Sequence, residues 1–361
     1  MKIAVLGSGN SGQALAGTLT LSGHEIHLAA VPEHATQIRI LQSLGGVWVE
    51  ADDSLGVMSG FAKIARIDTE VGEAVSESEL IILALPAYAQ DAYFETLAEY
   101  AQPNAVVLIQ PGKFGALRFA QTLRKHQRDP SELLIAETST SPYAAKISGL
   151  GCIWIRGVKK ETLMASWPAQ RFDELRERIH PVFPSYVRAK NVLMTSISDG
   201  ASVLHPVTTL MNLSRLETMG PYRTHGYDLT PQVGRMVEAV DQERCRVAAA
   251  FDVPFTILQD QLKNFYGLEG ETVYEVVSHS HVHRDQITPR NADHRYITED
   301  VPYGLVPILR LARMSGFEVP ATQAIVTMAS IVNETDYEGD RYSSEALGLN
   351  LIFHDDGSLS L

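Results

Sequence analysis

The chain has 361 residues, of which 45% are hydrophobic and 20% are charged, and its formal net charge is −13. At about 100–200 residues per domain, a chain of this length predicts two domains of ordinary globular composition. The acidic balance argues against a nucleic-acid partner, because binding phosphates requires clustered Lys and Arg side chains.

The N-terminus and the cysteines favour a cytoplasmic protein. Met1 and Lys2 lead directly into the apolar run Ile3–Leu6, which is too short for a signal-peptide core and predicts a strand. No stretch approaches the ~20 apolar residues that span a bilayer. The only cysteines, Cys152 and Cys245, are far apart in the sequence and imply no disulfide framework. We therefore expect a soluble, cytoplasmic protein with no membrane partner.

The first half alternates short apolar runs with helical patterns, which predicts βαβ units and a parallel sheet. The predicted strands are Ile3–Leu6, Glu25–Ala29, Leu80–Leu85, Ala105–Ile109, Leu133–Ala136 and Ile153–Ile155. The predicted helices between them are Gly12–Leu21, Glu33–Leu44, Ala87–Ala101 and Gly115–His126. The stretch Val47–Ala65 breaks this rhythm and predicts an inserted hairpin.

After Pro181 helical periodicity dominates, so the second domain is expected to be all-helical. Thr230-Pro231 is typical of a helix start, with Thr as N-cap and Pro at the first helical position. The helix that follows groups Val233, Met236, Val237, Val240 and Arg244, and we expect Met236, Val237 and Val240 in the core. A further helix, Ala321–Val332, is predicted after Pro320. We place the domains at 1–189 and 190–361.

A G-x-G-x-x-G motif directly follows the first predicted strand and opens a helical pattern, which is the context of a dinucleotide-binding turn. In such a turn the first glycine permits the tight bend, the second lets the backbone approach the pyrophosphate, and the third permits close helix–strand packing. The alternative is a glycine turn in an unrelated α/β fold. We predict that the motif binds a cofactor through Gly7, Ser8, Gly9, Asn10, Ser11 and Gly12.

The choice between NAD and NADP stays open. An acid normally ends the second strand and binds the ribose hydroxyls, but Ala30 stands at that position and Glu33 comes later, after a proline. The nearest cation that could accept a 2′-phosphate is Arg39.

Ligands of parallel sheets bind beyond the carboxyl ends of the strands. Three polar or glycine-bearing segments follow such strands and are expected near the nicotinamide: Leu85-Pro86-Ala87, Gln110-Pro111-Gly112 and Glu137–Ser141. On this basis Pro86 joins the predicted cofactor contacts. The alternative is that these segments are ordinary βα turns.

His205 lies within an apolar stripe, where a histidine is usually a buried core residue. Two features favour a function. Pro206 disfavours the α conformation at His205 and can interrupt the helix there, and the imidazole lies on the face expected to close over the first domain. Imidazole is the common general acid/base for hydride transfer to a carbonyl or an imine.

The segment HRYITEDVPYGLVP, residues 294–307, concentrates strongly polar side chains before an apolar run. Glu299 and Asp300 supply carboxylates that could orient an imidazole, and Arg295 is suited to bidentate binding of a substrate carboxylate. Arg295 and Asp300 are five residues apart, which is about 140° around an α-helix. Both can reach one site only if the chain turns between them, as Pro302 would favour.

Together these residues resemble the opine dehydrogenases of the octopine and nopaline type. The resemblance covers nearly the whole chain. It depends on GSGNSG (7–12), AETSTSPY (136–143), NVLMTSISDGASVLHPVTTLMN (191–212), DLTPQVGRMVEAVDQER (228–244) and HRYITEDVPYGLVP (294–307). The His-Pro segment and the last segment, occurring in this order, are specific.

The resemblance implies a Rossmann domain followed by an all-helical domain, and a reductive condensation. A pyruvate-like α-keto acid and the amine of an amino acid form an imine, which NAD(P)H reduces to a secondary-amine dicarboxylate. It further implies that His205 protonates the keto or carbinolamine oxygen, that Asp300 holds the imidazole, and that Arg295 binds the keto-acid carboxylate. Thr138 and Gln110 would line the substrate site.

Three alternatives remain. A ketopantoate-reductase-like enzyme or 2-hydroxy-acid dehydrogenase would reduce a keto acid without an amine, and a non-enzymatic nucleotide sensor would keep only the fold. The tract His279, His281 and His283 could bind zinc if it formed a strand; we expect a histidine-rich loop and no metal. The sequence leaves the oligomeric state open, with a homodimer as one option.

Overall fold

The computed structural model describes residues 1–221, 229–280, 282 and 287–352. The chain divides into two compact units, of which the first is Met1–Val192 and the second begins at Leu193. The boundary placed from the sequence, after residue 189, lies just before this division.

The first unit contains all the strands of the two sheets and six α-helices. Its strands are β1 (Lys2–Leu6), β2 (Glu25–Ala29), β3 (Gly46–Ala51), β4 (Gly60–Lys63), β5 (Arg66–Asp68), β6 (Leu80–Leu83), β7 (Val106–Ile109), β8 (Leu134–Thr138), β9 (Tyr143–Gly149), β10 (Cys152–Val158), β11 (Thr162–Trp167) and β12 (Tyr186–Arg188). Its helices are α1 (Asn10–Leu21), α2 (Ala35–Leu44), α3 (Val71–Ser76), α4 (Ala87–Tyr100), α5 (Gly115–Lys125) and α6 (Phe172–Ile179).

Eight strands form the main sheet, in the order β12-β11-β8-β7-β6-β1-β2-β5. The run from β8 to β5 is parallel, as the βαβ pattern predicts. β11 is antiparallel to β8, so the sheet is mixed at this end. The central strands are buried on both faces, with Val5, Ile82 and Leu108 in the core, which explains why they read as continuous apolar runs.

A second, four-stranded sheet has the order β4-β3-β10-β9. β3 and β4 pair antiparallel, which confirms the hairpin predicted at Val47–Ala65. The strand predicted at Ile153–Ile155 lies here, in β10, so its placement in the parallel sheet was wrong. This sheet packs against α1 at Gly17, where a Cβ would come within 2.5 Å of the Val49 side chain. Apolar strand runs do not reveal which sheet they join.

The second unit is helical in its described part, and α7 (Val192–Ile197) leads into it. The remaining helices are α8 (Ala201–Met211), α9 (Leu213–Met219), α10 (Pro231–Ala250), α11 (Leu258–Tyr266), α12 (Val273–Ser278), α13 (Arg295–Thr298), α14 (Val306–Met314) and α15 (Pro320–Val332). A π-helical segment, Val301–Leu305, precedes α14. The Thr230 side chain caps α10 by accepting a hydrogen bond from the Val233 backbone N–H, as predicted.

Two expectations about these helices were wrong. α8 continues through Pro206 without a break, because its buried face, which includes Val203 and Val207, keeps the helix packed although proline removes one backbone donor. Met236 is 38% exposed, whereas Val237 and Val240 are buried. At about 100° per residue, Met236 lies at the edge of the stripe, about 70° from the midpoint of Val237 and Val240. No helix in the described part of the chain is long and apolar enough to cross a membrane.

Candidate active site

The glycine turn after β1 uses its three glycines in different ways. Gly7 has φ +109°, and a Cβ there would lie 2.8 Å from the Ala84 carbonyl oxygen. A Cβ at Gly12 would lie 1.8 Å from the Gly7 carbonyl oxygen. A Cβ at Gly9 would meet no atom within 4 Å. The protein's own packing therefore excludes side chains at Gly7 and Gly12, whereas the space beside Gly9 fits the close approach of a pyrophosphate.

The N-terminus of α1 follows this turn and is suited to an anion. Gly9 is its N-cap, and no described side chain caps it. The buried Gln13 donates from Nε2 to the Ser8 carbonyl at 2.8 Å and so fixes the turn. The positive end of the helix then faces the open space at Gly9.

The other predicted cofactor contacts surround the same turn. Asn10 accepts through Oδ1 from the Ile147 N–H at 2.9 Å, and the Ser11 and Ser141 hydroxyl oxygens are 3.1 Å apart. These side chains tie the turn to β9 and its preceding loop, so their predicted contact with a cofactor would come through the backbone. Pro86 is the N-cap of α4 and follows the end of β6 at Leu83 by three residues.

An acid lies near the end of β2, although not at Ala30, which is buried. The Tyr93 hydroxyl accepts a hydrogen bond from the Val31 N–H at 3.1 Å. Burial raises the pKa of Tyr93, and the charge of Glu33 adds to that rise. Glu33 is thus close enough to act electrostatically at this strand end, while the choice between NAD and NADP stays open.

Gln110 and Thr138 are neighbours at the carboxyl edge of the main sheet. Ile109 of β7 pairs with Glu137 of β8, so the next residue of each strand lies side by side. The Gly112 N–H donates to the Thr138 carbonyl at 2.8 Å and holds the two loops together.

The side chain of Gln110 is fully buried, and only one of its two polar atoms has a hydrogen-bond partner among the described residues. Its Oε1 accepts a hydrogen bond from the Tyr186 hydroxyl at 2.6 Å, while its Nε2 has no partner among the described residues. Burial raises the pKa of Tyr186 well above its ordinary value, so this hydroxyl stays a donor. A buried donor without a partner costs about 1–3 kcal/mol.

In the second unit, His205 and Asp300 form a hydrogen-bonded pair. Nδ1 of His205 in α8 lies 2.8 Å from Oδ2 of Asp300, and the two side chains are 13% and 1% exposed. A carboxylate accepts, so Nδ1 carries the donated proton. This leaves Nε2 as the imidazole nitrogen without a hydrogen bond to Asp300.

Arg295 lies on the segment that carries Asp300. Its Nη1 donates to Glu299 Oε2 at 3.1 Å, and Glu299 is fully buried while the Arg295 side chain is 50% exposed. Burial acts to lower the pKa of Arg295, but the charges of Glu299 and Asp300 outweigh it and raise that pKa. The guanidinium is thus a fixed cation with surface left for an anionic ligand.

A wide helical turn brings Arg295 and Asp300 into one site. The Asp300 N–H donates to the Arg295 carbonyl at 3.3 Å, and the Leu305 N–H donates to the Asp300 carbonyl at 3.0 Å, both across five residues. Residues five apart lie closer to one face in this geometry than in an α-helix. The chain therefore turns between Arg295 and Asp300 as expected, but Pro302 lies after this turn, inside the π-helical segment.

Two further aromatic rings, those of Tyr296 and His294, complete the site and were missed from the sequence. Tyr296 stacks on His205 with ring centroids 3.7 Å apart and planes inclined by 14°. His294 packs edge-on against Tyr296 at 4.5 Å, and its Nδ1 accepts from the Tyr296 N–H. Burial, followed by the charge of Arg295, lowers the pKa of His294 to about 4. Aromatic residues at helical spacing usually signal packing, so only the position of Tyr296 four residues before Asp300 could have indicated it.

The structure thus groups the predicted residues in two places. His205, Arg295 and Asp300 form one site in the second unit, and Gln110 and Thr138 lie together in the first unit. Of the histidine tract, His281 and His283 lie outside the described residues. Within the described part of the chain no cluster of three or more His, Cys, Asp or Glu side chains could hold a metal ion.

Family models match both parts of the chain. The model described as NAD/NADP octopine/nopaline dehydrogenase, alpha-helical domain, matches residues 188–333. The model described as NADP oxidoreductase, coenzyme F420-dependent, matches residues 2–111.

Individual proteins match over almost the full length. The chain is 31% identical to the opine dehydrogenase of Arthrobacter sp. (strain 1C), over 96% of this chain and 95% of that protein. An octopine dehydrogenase solved with NADH and L-arginine has a TM-score of 0.74 at 18% identity, covering 96% of this chain and 94% of that one. A yersinopine dehydrogenase with NADP+ bound has a TM-score of 0.74 at 15% identity, covering 96% and 94%. At these identities the structural likeness concerns the fold.

Proposed function

The chain belongs to the opine dehydrogenase family, and we propose that it condenses an α-keto acid with the amine of an amino acid and reduces the product with NAD(P)H. The observation that carries this proposal is the His205–Asp300 pair with the half-exposed Arg295 beside it. A proton donor and an anion-binding cation are what the reduction of a keto-acid imine requires.

The amine nitrogen forms a bond to the keto carbon and gives a carbinolamine. Protonation of its hydroxyl releases water and leaves an imine. A hydride is then added to the imine carbon, so one keto acid, one amine, one NAD(P)H and one proton give the secondary amine, NAD(P)+ and water.

Three residues of the second unit each have one role in this reaction. His205 gives a proton from Nε2 to the departing oxygen. Asp300, hydrogen-bonded at Nδ1, stabilises the imidazolium and fixes which nitrogen faces the substrate. Arg295 binds the carboxylate of the keto acid through the part of its guanidinium that Glu299 leaves available.

In the first unit, we assign substrate contacts to Gln110 and Thr138, which are neighbours at the carboxyl edge of the main sheet. The cofactor would be held by the turn Gly7–Gly12, the N-terminus of α1 and Pro86. When bound, NAD(P)H supplies the hydride.

The test compares NAD(P)H oxidation with pyruvate alone and with pyruvate plus a panel of amino acids. We expect oxidation that depends on one or a few amino acids. Equal rates with and without an amine would instead indicate a 2-hydroxy-acid dehydrogenase and overturn the proposal. The same assay, run with NADH and with NADPH, decides the cofactor.

The partners in this proposal are small molecules. A keto acid, an amino acid and a reduced nicotinamide cofactor all occur in the cytoplasm, which is where we place the reaction. Fractionation of the cells that produce the protein tests this placement.

A further inference from the structure

Tyr296 covers one face of the His205 imidazole. The ring centroids are 3.7 Å apart and the planes are nearly parallel, at 14°. Tyr296 lies four residues before Asp300, so one short segment supplies both the ring against the imidazole face and the carboxylate at Nδ1.

These two contacts constrain different motions of the imidazole. A single hydrogen bond at Nδ1 fixes the position of that atom, but the ring can still tilt about the line from Nδ1 to the carboxylate. A ring lying flat against the imidazole at 3.7 Å blocks this tilt. The direction in which Nε2 points is therefore set by Asp300 and Tyr296 together.

The stacking geometry also suits a protonated imidazole. Two neutral aromatic rings avoid a full face-to-face overlap because their quadrupoles repel each other. A cation over the face of a tyrosine ring is attracted, by about 0.5–2 kcal/mol. The near-parallel stack thus fits the form of His205 that donates a proton in the condensation.

Neighbouring side chains hold Tyr296 in its position. The Tyr296 N–H donates to Nδ1 of His294 at 3.3 Å, and the His294 ring packs edge-on against the tyrosine ring. The guanidinium carbon of Arg295 lies 5.7 Å from the centroid of the same ring. His205 is thus held by a group of side chains from residues 294 to 300.

We infer that Tyr296 is a positioning residue of the reaction, which acts by stacking on His205 and fixing the direction of its proton-donating nitrogen. This inference rests on the proposed function of His205. Tyr296 itself binds neither substrate nor cofactor in this scheme.

Kinetics of Tyr296→Leu and Tyr296→Phe test the inference. We expect Tyr296→Leu to lower kcat by about 10- to 100-fold, because a misdirected catalytic group has effects of this size, with the KM for NAD(P)H and for the keto acid little changed. Tyr296→Phe keeps the ring and should restore most of kcat. If Phe is as slow as Leu, or Leu as fast as wild type, the inference is wrong.

A double-mutant cycle and an NMR signal separate this inference from the proposed function. In a His205→Ala background, Tyr296→Leu should lower the residual rate no further. The His205 Cε1–H resonance should lie upfield in wild type and Tyr296→Phe because of the tyrosine or phenylalanine ring current. An ordinary position in both proteins would overturn the stacking. The NMR measurement requires neither catalytic turnover nor the Leu variant. It therefore tests the stacking even if Tyr296→Leu does not fold or the wild-type protein forms no opine.

Discussion

Nδ1 of His205 lies 2.8 Å from Oδ2 of Asp300, although 95 residues separate them in the sequence. The carboxylate is almost completely buried, and the imidazole keeps a small exposed fraction. A buried carboxylate needs a partner, and here the partner is the imidazole to which we assign the proton transfer. The pair therefore satisfies the buried carboxylate and, in the proposed function, orients the proton donor.

Asp300→Asn should abolish most of the activity while keeping the side-chain volume. Without the negative charge, the imidazolium loses its partner and the imidazole can take the wrong tautomer, so we expect kcat to fall by about 100-fold or more. Steady-state kinetics measure this fall. Asp293→Asn, on the exposed side of the same segment, is the matched control and should leave kcat unchanged. Full activity of Asp300→Asn would refute the role of the pair.

Arg295→Lys should weaken binding of the keto acid. Lysine keeps the positive charge but lacks the planar fork that binds a carboxylate with two hydrogen bonds. We expect the KM for the keto acid to rise by roughly 10- to 100-fold, the size of one strong charged hydrogen bond, while the KM for NAD(P)H stays the same. The exposed Arg290 gives the control Arg290→Lys. An unchanged KM would place the carboxylate elsewhere.

Gly9→Ser should weaken cofactor binding without lowering the free energy of unfolding. Serine is a favourable N-cap for α1, and no atom lies within 4 Å of a Cβ at this position, so the free energy of unfolding should not fall. The added side chain occupies the space expected for the pyrophosphate, and Kd for NADH should rise by about 10-fold or more. Gly12→Ala should instead destabilise the fold, because its Cβ would overlap the Gly7 carbonyl. Fluorescence titration and denaturant unfolding read the two effects, and tight binding by Gly9→Ser would contradict the assignment.

His294 should make the fold less stable in acid. Its pKa is lowered from 6.5 to about 4, so on acidification the unfolded chain takes up this proton first and the folded chain only near pH 4. The free energy of unfolding should therefore fall between pH 6.5 and pH 4, by an amount on the order of 2 kcal/mol. His294→Asn keeps a capping oxygen for α13 without titrating, and should lose less stability over this window in urea unfolding. Equal losses in both proteins would show that His294 is not the cause.

The central strands of the main sheet were predictable because buried parallel strands appear as unbroken apolar runs, whereas β5, β9, β11, β12, α3 and α6 were not predicted. Leu80–Leu83 and Val106–Ile109 are fully buried, and the prediction missed their ends by only one or two residues. The second sheet was not predictable as a unit. Strand β3 pairs with β10 across about a hundred residues, and local periodicity carries no information about such a pairing.

The candidate site was predictable in its charges and not in its geometry. Three residues were identified from the sequence because burying strongly polar groups in apolar surroundings is costly unless they are paired. They are His205, Arg295 and Asp300. The wide turn that brings Arg295 and Asp300 together is closed by an i→i+5 hydrogen bond from the Asp300 N–H to the Arg295 carbonyl, which leaves no clear trace in the sequence. The stack of Tyr296 on His205 depends on how α8 packs against this segment and was therefore missed.

The central claim is that this protein reduces an imine formed from a keto acid and an amine. The mass spectrum of the product formed with 4-deuterated NADH or NADPH tests it most directly. The account predicts one product that contains the carbons of both substrates, has lost one oxygen as water, and carries a single deuterium on the former keto carbon. A deuterated 2-hydroxy acid with the amine recovered unchanged would contradict it.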